Sequence, residues 1–233
     1  MPTITSAATR GSVRTRQSTL IFGSSFETTR DQTNGTSVSV NTNDSTAIRA
    51  SEVTAGGTTT WDCNRYFIAF DTSSITSVPG SATLYVYGST AVLSDLIVVK
   101  VTAASSFNTS VNVATTNFSN IEGYSVGVDW TGLVTDYSSV VSSPVLGWNA
   151  IPLNSTALSD MDSLSTFKLA IVDYTYDYLY QSPFGNNRLG LSSLSFAPYI
   201  VYEGFNNKIY SISLASVANV DGVSIGSITS INT

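Results

Sequence analysis

The stretch Asn64–Tyr87, NRYFIAFDTSSITSVPGSATLYVY, constrains the fold more than any other part of the chain. Arg65–Phe70 is rich in aromatic and β-branched residues and too short for a typical helix, so it reads as a strand. Asp71–Ser74 stops it, because Asp and Ser side chains bond nearby backbone amides and bend the chain. Val78-Pro79-Gly80 is a second turn signal. Ala82–Tyr87 is then a second strand, ended by Gly88. Ala82, Leu84 and Val86 form its apolar face, and Thr83, Tyr85 and Tyr87 its semi-polar one.

The remaining chain repeats this pattern. Thr19–Phe22 reads as the first strand of the domain. Thr36–Val40 alternates after the Asn34-Gly35 turn, and Ala47–Val53 follows. Leu93–Thr102 is dense in Val and Ile, Tyr124–Trp130 alternates, and Thr135–Val141 fits either a short helix or a strand. Trp148–Leu153, Phe167–Val172, Arg188–Leu194 and Tyr199–Glu203 complete the set. Asn154–Leu164 is the best helix signal, with Ser159 or Asp160 as cap. Short strands at roughly ten-residue spacing, with no βαβ alternation, predict a single all-β antiparallel sandwich over residues 19–205.

Two segments lie outside that domain on this reading. Residues 1–18 carry Arg10, Arg14 and Arg16 with no acid before Glu27, so they form a basic N-terminal arm that docks to an acidic neighbour. In residues 206–233, apolar positions recur every third residue, over Val217, Val220 and Val223 and again over Ile225, Ile228 and Ile231. That spacing fits neither a strand nor a helix stripe. Asp221 is the one charged residue between Lys208 and Thr233. Such a segment has to cover its apolar side chains against something, so it reads as a C-terminal docking arm.

Composition excludes several classes of function. Only 11% of the 233 residues are charged, and Ser, Thr and Asn fill the polar positions, yet 42% are hydrophobic. This is a folded β protein with neutral faces, not a disordered chain. A net charge of −6 argues against nucleic-acid binding. There is no His, hence no Ser-His-Asp triad and no imidazole ligand. The single cysteine, Cys63, excludes a disulfide framework. No run approaches the length of a membrane span, and the first residues lack the apolar core of a signal peptide, so export by that route is not expected.

The search for chemistry leaves carboxylates and tyrosines. Asp160, Asp162, Asp173 and Asp177 could supply oxygen ligands to calcium, or, with Asp129 and Asp136, an acid/base pair of a polysaccharide-degrading enzyme. The plainer expectation is solvated turn and cap carboxylates, with no catalytic residue and no cofactor. Tyr174, Tyr176, Tyr178 and Tyr180 recur at alternate positions, which in an extended segment puts all four on one face. Such a row suits cross-strand packing, a sugar ring or a subunit interface.

The segment Arg65, Tyr66, Phe70, Asp71, Ser73, Ser74, Ile75, Pro79, Gly80, Ala82 and Leu84–Tyr87 resembles the DNRLRE-type domain, with a looser likeness extending from about Thr19 to Glu203. That resemblance implies a jelly-roll sandwich of surface and carbohydrate-associated proteins. The ending Val220-Asp221-Gly222-Val223-Ser224-Ile225-Gly226-Ser227-Ile228-Thr229-Ser230-Ile231 resembles the C-termini of tailed-phage virion proteins. Together they imply a non-enzymatic virion component, a capsid decoration or head-fibre protein. Its partners would be other virion proteins and symmetry mates, with no nucleic acid and no membrane. A carbohydrate-binding module that attaches a virion or an enzyme to a surface glycan is the alternative.

Overall fold

The computed structural model describes residues 1–5, 10–20, 23–92, 95–192 and 195–204, together with the backbone of two short strands at 219–220 and 223–224. The fold is all-β. In chain order the strands are β1 (Thr3–Thr5), β2 (Gly11–Ser18), β3 (Ser37–Val40), β4 (Asn43–Ala55), β5 (Thr58–Asp71), β6 (Ser81–Val92), β7 (Leu96–Lys100), β8 (Gly147–Pro152), β9 (Thr166–Asp173), β10 (Asn186–Ser192) and β11 (Tyr199–Glu203), with β12 (Asn219–Val220) and β13 (Val223–Ser224) pairing separately. Two short helices interrupt them, α1 (Phe26–Arg30) and α2 (Ser155–Ser163). Among the described residues no helix is long and apolar enough to cross a membrane.

Two long strands organise the sheet. The first half of β5 lies between β2 and β4, and its second half, Tyr66–Asp71, pairs with β9, which in turn pairs with β7. β6 does the same on the other side. One edge holds β11 and then β10, and the opposite edge holds β8. All these pairings are antiparallel, in the order β1-β11-β6-β10-β4-β5-β2-β3 with β7, β8 and β9 branching from it. That order does not by itself give the jelly-roll connection.

Alternation along β5, β7 and β9 feeds two separate cores. Tyr66, Ile68, Phe70, Leu96, Val98, Phe167, Leu169 and Ile171 pack with Leu84, Val86, Ile151 and Met161. Phe67, Ala69, Ile97, Val99, Ala170 and Val172 point the other way and meet Phe107, Phe118, Ile121 and Trp130. The β5–β9–β7 sheet is thus buried on both faces, which is why FIAF, LIVV and LAIV are near-continuous apolar runs. Its outer cover is the segment 101–146, where only one turn of 3₁₀ helix and isolated bridges are regular. Tyr124–Trp130 is therefore turns, not the expected strand, and Thr135–Val141 makes single bridges.

Three other expectations need correction. Residues 1–18 are not an arm: β1 pairs with β11, and β2 lies between β3 and β5. Thr19 and Leu20 turn out of β2 instead of opening the domain, and Ile21 and Phe22 lie outside the described residues. α2 is present, but its cap is Asn154, whose side chain accepts from the Ala157 amide. α1 was not anticipated. Ser25 and Thr28 form a reciprocal capping box at its start.

Candidate functional site

The tyrosines singled out by spacing do not form a row. Residues Tyr174–Tyr178 make a π-helical turn, nucleated by Asp173, whose carboxylate accepts from the Tyr176 amide at 2.8 Å. Tyr174 and Tyr178 stack on each other at 5.4 Å, and Tyr178 is buried. Tyr180 turns away, donates to Asp31 at 2.9 Å and covers the Arg30 guanidinium. Helical closure replaces the extended geometry that the alternate spacing implied.

These residues surround a buried ionic cluster. Arg65 grips Asp177 with two bonds of 2.8 Å, from Nε and Nη2, and donates from Nη1 to the Phe118 carbonyl at 2.8 Å. Arg30 donates to the Asp177 carbonyl and lies over Trp130 at 4.3 Å. All three charged residues are fully buried. Burial works against the Arg65 charge, but Asp177 outweighs it and holds the guanidinium above its ordinary pKa. The cluster bolts the 101–146 cover to β5, and nothing in it is exposed to a ligand.

The proposed calcium carboxylates are likewise occupied and apart. Asp177 is held by Arg65, and Asp173 caps the π-helical turn. Asp160 accepts from the Tyr137 hydroxyl at 2.6 Å and pairs with Lys100, while Asp162 lies on α2. No grouping of three or more Asp, Glu, Cys or His side chains suited to a metal occurs among the described residues. Burial raises the pKa of Asp136, which accepts from Tyr178 at 3.1 Å, and Asp129 caps its own turn. Cys63 is buried with its thiol pKa well above the ordinary value, so it is protonated and inert.

The arginines of the expected N-terminal arm are used inside the domain. Arg14 and Arg16 both bond Asp62 across the sheet, and Arg10 is buried. Of the expected C-terminal docking residues, Val217, Ile225, Ile228 and Ile231 lie outside the described residues. Val220 and Val223 are described only as paired backbone of β12 and β13.

The exposed feature that stands out is instead an aromatic face on β11, β6 and β8. Tyr85 lies opposite Tyr199 on one side and Ala150 on the other, and Tyr87 opposes Trp148. These are the residues on the semi-polar side of the Ala82–Tyr87 alternation, since Ala82, Leu84 and Val86 face the core. Phe196 joins them from the segment before β11, stacked on Tyr87 at 4.1 Å. Trp148 is 40% exposed and Phe196 42%.

Local sequence builds this surface. Asn149 clamps the turn before β8: its carbonyl oxygen accepts from the Val145 amide, and its amide donates to the Val145 and Gly147 carbonyls. Gly147 supplies the positive φ of 97° that aims Trp148 outward. The Val145 carbonyl lies where a side chain on Gly88 would be, so Gly88 admits the turn onto β6.

Ring orientation limits what the face can hold. Tyr85 and Tyr199 are cross-strand neighbours with rings 4.8 Å apart and 10° from parallel. Their flat faces are turned to each other, so their edges and hydroxyls point outward. Tyr87 and Phe196 are stacked in the same way, at 17°. Trp148 meets Tyr87, Phe196 and Tyr199 edge to face. A sugar stacks on an open ring face, and of these five rings only Trp148 has no parallel-stacked neighbour among the described residues. The face is otherwise ridged, uncharged and aromatic, with phenol hydroxyls at its edges, which suits close packing against protein.

No protein-family model matches the chain, and no curated protein matches it either.

Proposed function

We propose that this protein is a non-enzymatic structural component of a virion, a capsid decoration or head-fibre protein, that packs against neighbouring protein through the aromatic face of β11, β6 and β8. The observation that carries the reading is the ridged, uncharged set Tyr85, Tyr87, Trp148, Phe196 and Tyr199. Contiguous exposed apolar surface of this kind is unfavourable on a free particle in water and is removed by burial against a partner. Symmetry mates are the first occupant, because a repeated neutral face packs without charge repulsion. The resemblance of the chain's ending to phage virion proteins supplies the context. Docking thus moves from the basic N-terminal segment, which the sheet consumes, to the sheet itself.

The test is the solution mass of the purified chain across a concentration series, beside a Trp148→Ser, Phe196→Ser double variant. Wild type should self-associate, and the variant should be a folded monomer. If wild type stays monomeric at high concentration and matches the variant, the reading fails.

Trp148 favours a second reading, a carbohydrate-binding module. The resemblance to DNRLRE-type domains points the same way. There, Trp148→Ala abolishes retention on a glycan array while leaving the solution mass unchanged.

A further inference from the structure

A different surface, on β2, β5, β4 and β10, gathers most of the positive charge that the structure leaves accessible. Cross-strand register sets two adjacent rows of side chains on one face. The first is Arg14, Asn64, Arg49 and Arg188, and the second is Arg16, Asp62, Ser51 and Asn186. All eight are polar. At their centre Asp62 is 1% exposed and takes Arg14 at 2.8 Å, Arg16 at 2.7 and 3.0 Å, and Arg49 at 3.1 Å.

One carboxylate cannot satisfy that many donors. Four guanidinium groups offer about twenty N–H donors, while Asp62 and nearby Asp44 together offer about eight acceptor positions. Asp44 also spends one of these on the Ser12 hydroxyl and two on the amide and hydroxyl of Thr46. Accordingly, the Nε of Arg49, the Nε of Arg188 and the hydroxyl of Ser51 are buried without a hydrogen-bond partner. Four arginines against two aspartates leave an excess of two positive charges. Burial lowers the pKa of Arg49, and Arg16 and Arg188 lower it further, against the pull of Asp62 and Asp44. Beside this network opens a cavity of about 290 Å³, lined by Arg16, Arg49 and Asp62 with Gln17, Ser18 and Thr60.

We propose that this cavity binds a doubly charged oxyanion group, a sulfate or phosphate, held between Arg16 and Arg49. A dianion neutralises the excess charge and supplies acceptors to the donors of Arg16 and Arg49 that Asp62 leaves over. Arg forks suit such groups because they present two parallel N–H donors to two oxygens. Ser18 and Thr60 add neutral hydroxyls to the cavity wall, and Val53 and Gln17 complete it. The site is separate from the aromatic face and does not depend on the role proposed for that face.

The experiment is calorimetric titration of the full chain with sodium sulfate, and separately with phosphate, at ionic strength held constant with sodium chloride. Constant ionic strength matters because general screening would otherwise imitate binding. Saturable single-site binding is expected, weakened at least tenfold by Arg49→Gln and by Arg16→Gln. Arg16 is half exposed, so its variant keeps the fold if Arg49→Gln does not. A sulfated disaccharide is the third titrant. Tighter binding than inorganic sulfate, lost in Arg16→Gln, assigns the group to a polymer, and equal binding assigns it to the free anion. Either result supports the site. Absence of saturable heat with all three titrants, or binding unchanged in Arg16→Gln, overturns it.

Discussion

Replacing Arg65 with Met should remove about 4 kcal/mol of stability, because a buried carboxylate then loses its principal partner. The side chain is fully buried and makes two bonds of 2.8 Å to Asp177, one of 2.8 Å to the Phe118 carbonyl and one of 3.1 Å to the Arg30 carbonyl. Met restores the volume but none of these. Breaking a buried ion pair from one side costs roughly 3–5 kcal/mol, whereas an exposed pair is worth about 0–1. Arg30 still stands near Asp177, with Nε 3.4 Å from the carboxylate, which keeps the expectation below the top of that range. At a urea dependence of roughly 2–3 kcal/mol per molar, 4 kcal/mol moves the midpoint down by about 1.3–2 M. Asp177→Asn should cost a similar amount, and the double variant less than the sum of the two, since each single change strands the other partner. The loss should begin in the 101–146 cover, so near-ultraviolet dichroism from Trp130 should fade before the far-ultraviolet strand signal. A midpoint shift below about 0.3 M for Arg65→Met, or additive single costs, would refute the claim that the cover is held by a desolvated ion pair.

Three further outcomes test other parts of the structure. Asn149→Ala should cost about 1–3 kcal/mol in denaturant unfolding, because it strips three hydrogen bonds from the 145–147 turn, and Trp148 fluorescence should shift toward that of a mobile indole. In alkaline spectrophotometric titration, Tyr124, Tyr137, Tyr178 and Tyr180 should ionise above the ordinary phenol range. Burial raises all four, and for Tyr180 burial with the bond to Asp31 pushes the phenol up to about 12. Their neutral forms are favoured by folding, so the stability they contribute is complete below about pH 10 and is lost as pH rises through the folded values. Deleting residues 206–233 should leave the sandwich folded, measured by an unchanged urea midpoint, and should reduce assembly in sedimentation.

The strands were legible where one face of a two-residue alternation is apolar. Ala82, Leu84 and Val86 proved to face the core, and β9 and β11 fall where Phe167–Val172 and Tyr199–Glu203 predicted. The aromatic face was half legible: Tyr85 and Tyr87 were assigned to the right side of β6, but Trp148 and Phe196 reach them only through tertiary pairing. β2 was missed because its arginines read as a basic arm that docks to an acidic neighbour outside the domain. Their partner, Asp62, lies 46 and 48 residues away, and no local pattern announces it. The Tyr174–Tyr180 spacing misled for a related reason. A single capping carboxylate, Asp173, turns an alternating segment into a helical one. The cover over the second core has no period at all, since its buried rings are placed by Arg65 and Arg30.

The pairing of β1 with β11 also has a mechanical consequence. These strands run antiparallel, with Thr3 beside Val201 and Thr5 beside Tyr199, so the start of one lies next to the end of the other. Tension applied between residue 1 and residue 204 therefore opens the pair like a zip, one rung at a time, and not by sliding all rungs together. Three registered rungs offer little resistance to that peeling. The next strand, β2, is held along both edges by β3 and β5, so it would bear the load. Pulling on single molecules by their ends should thus show a small early lengthening, followed by a much larger break.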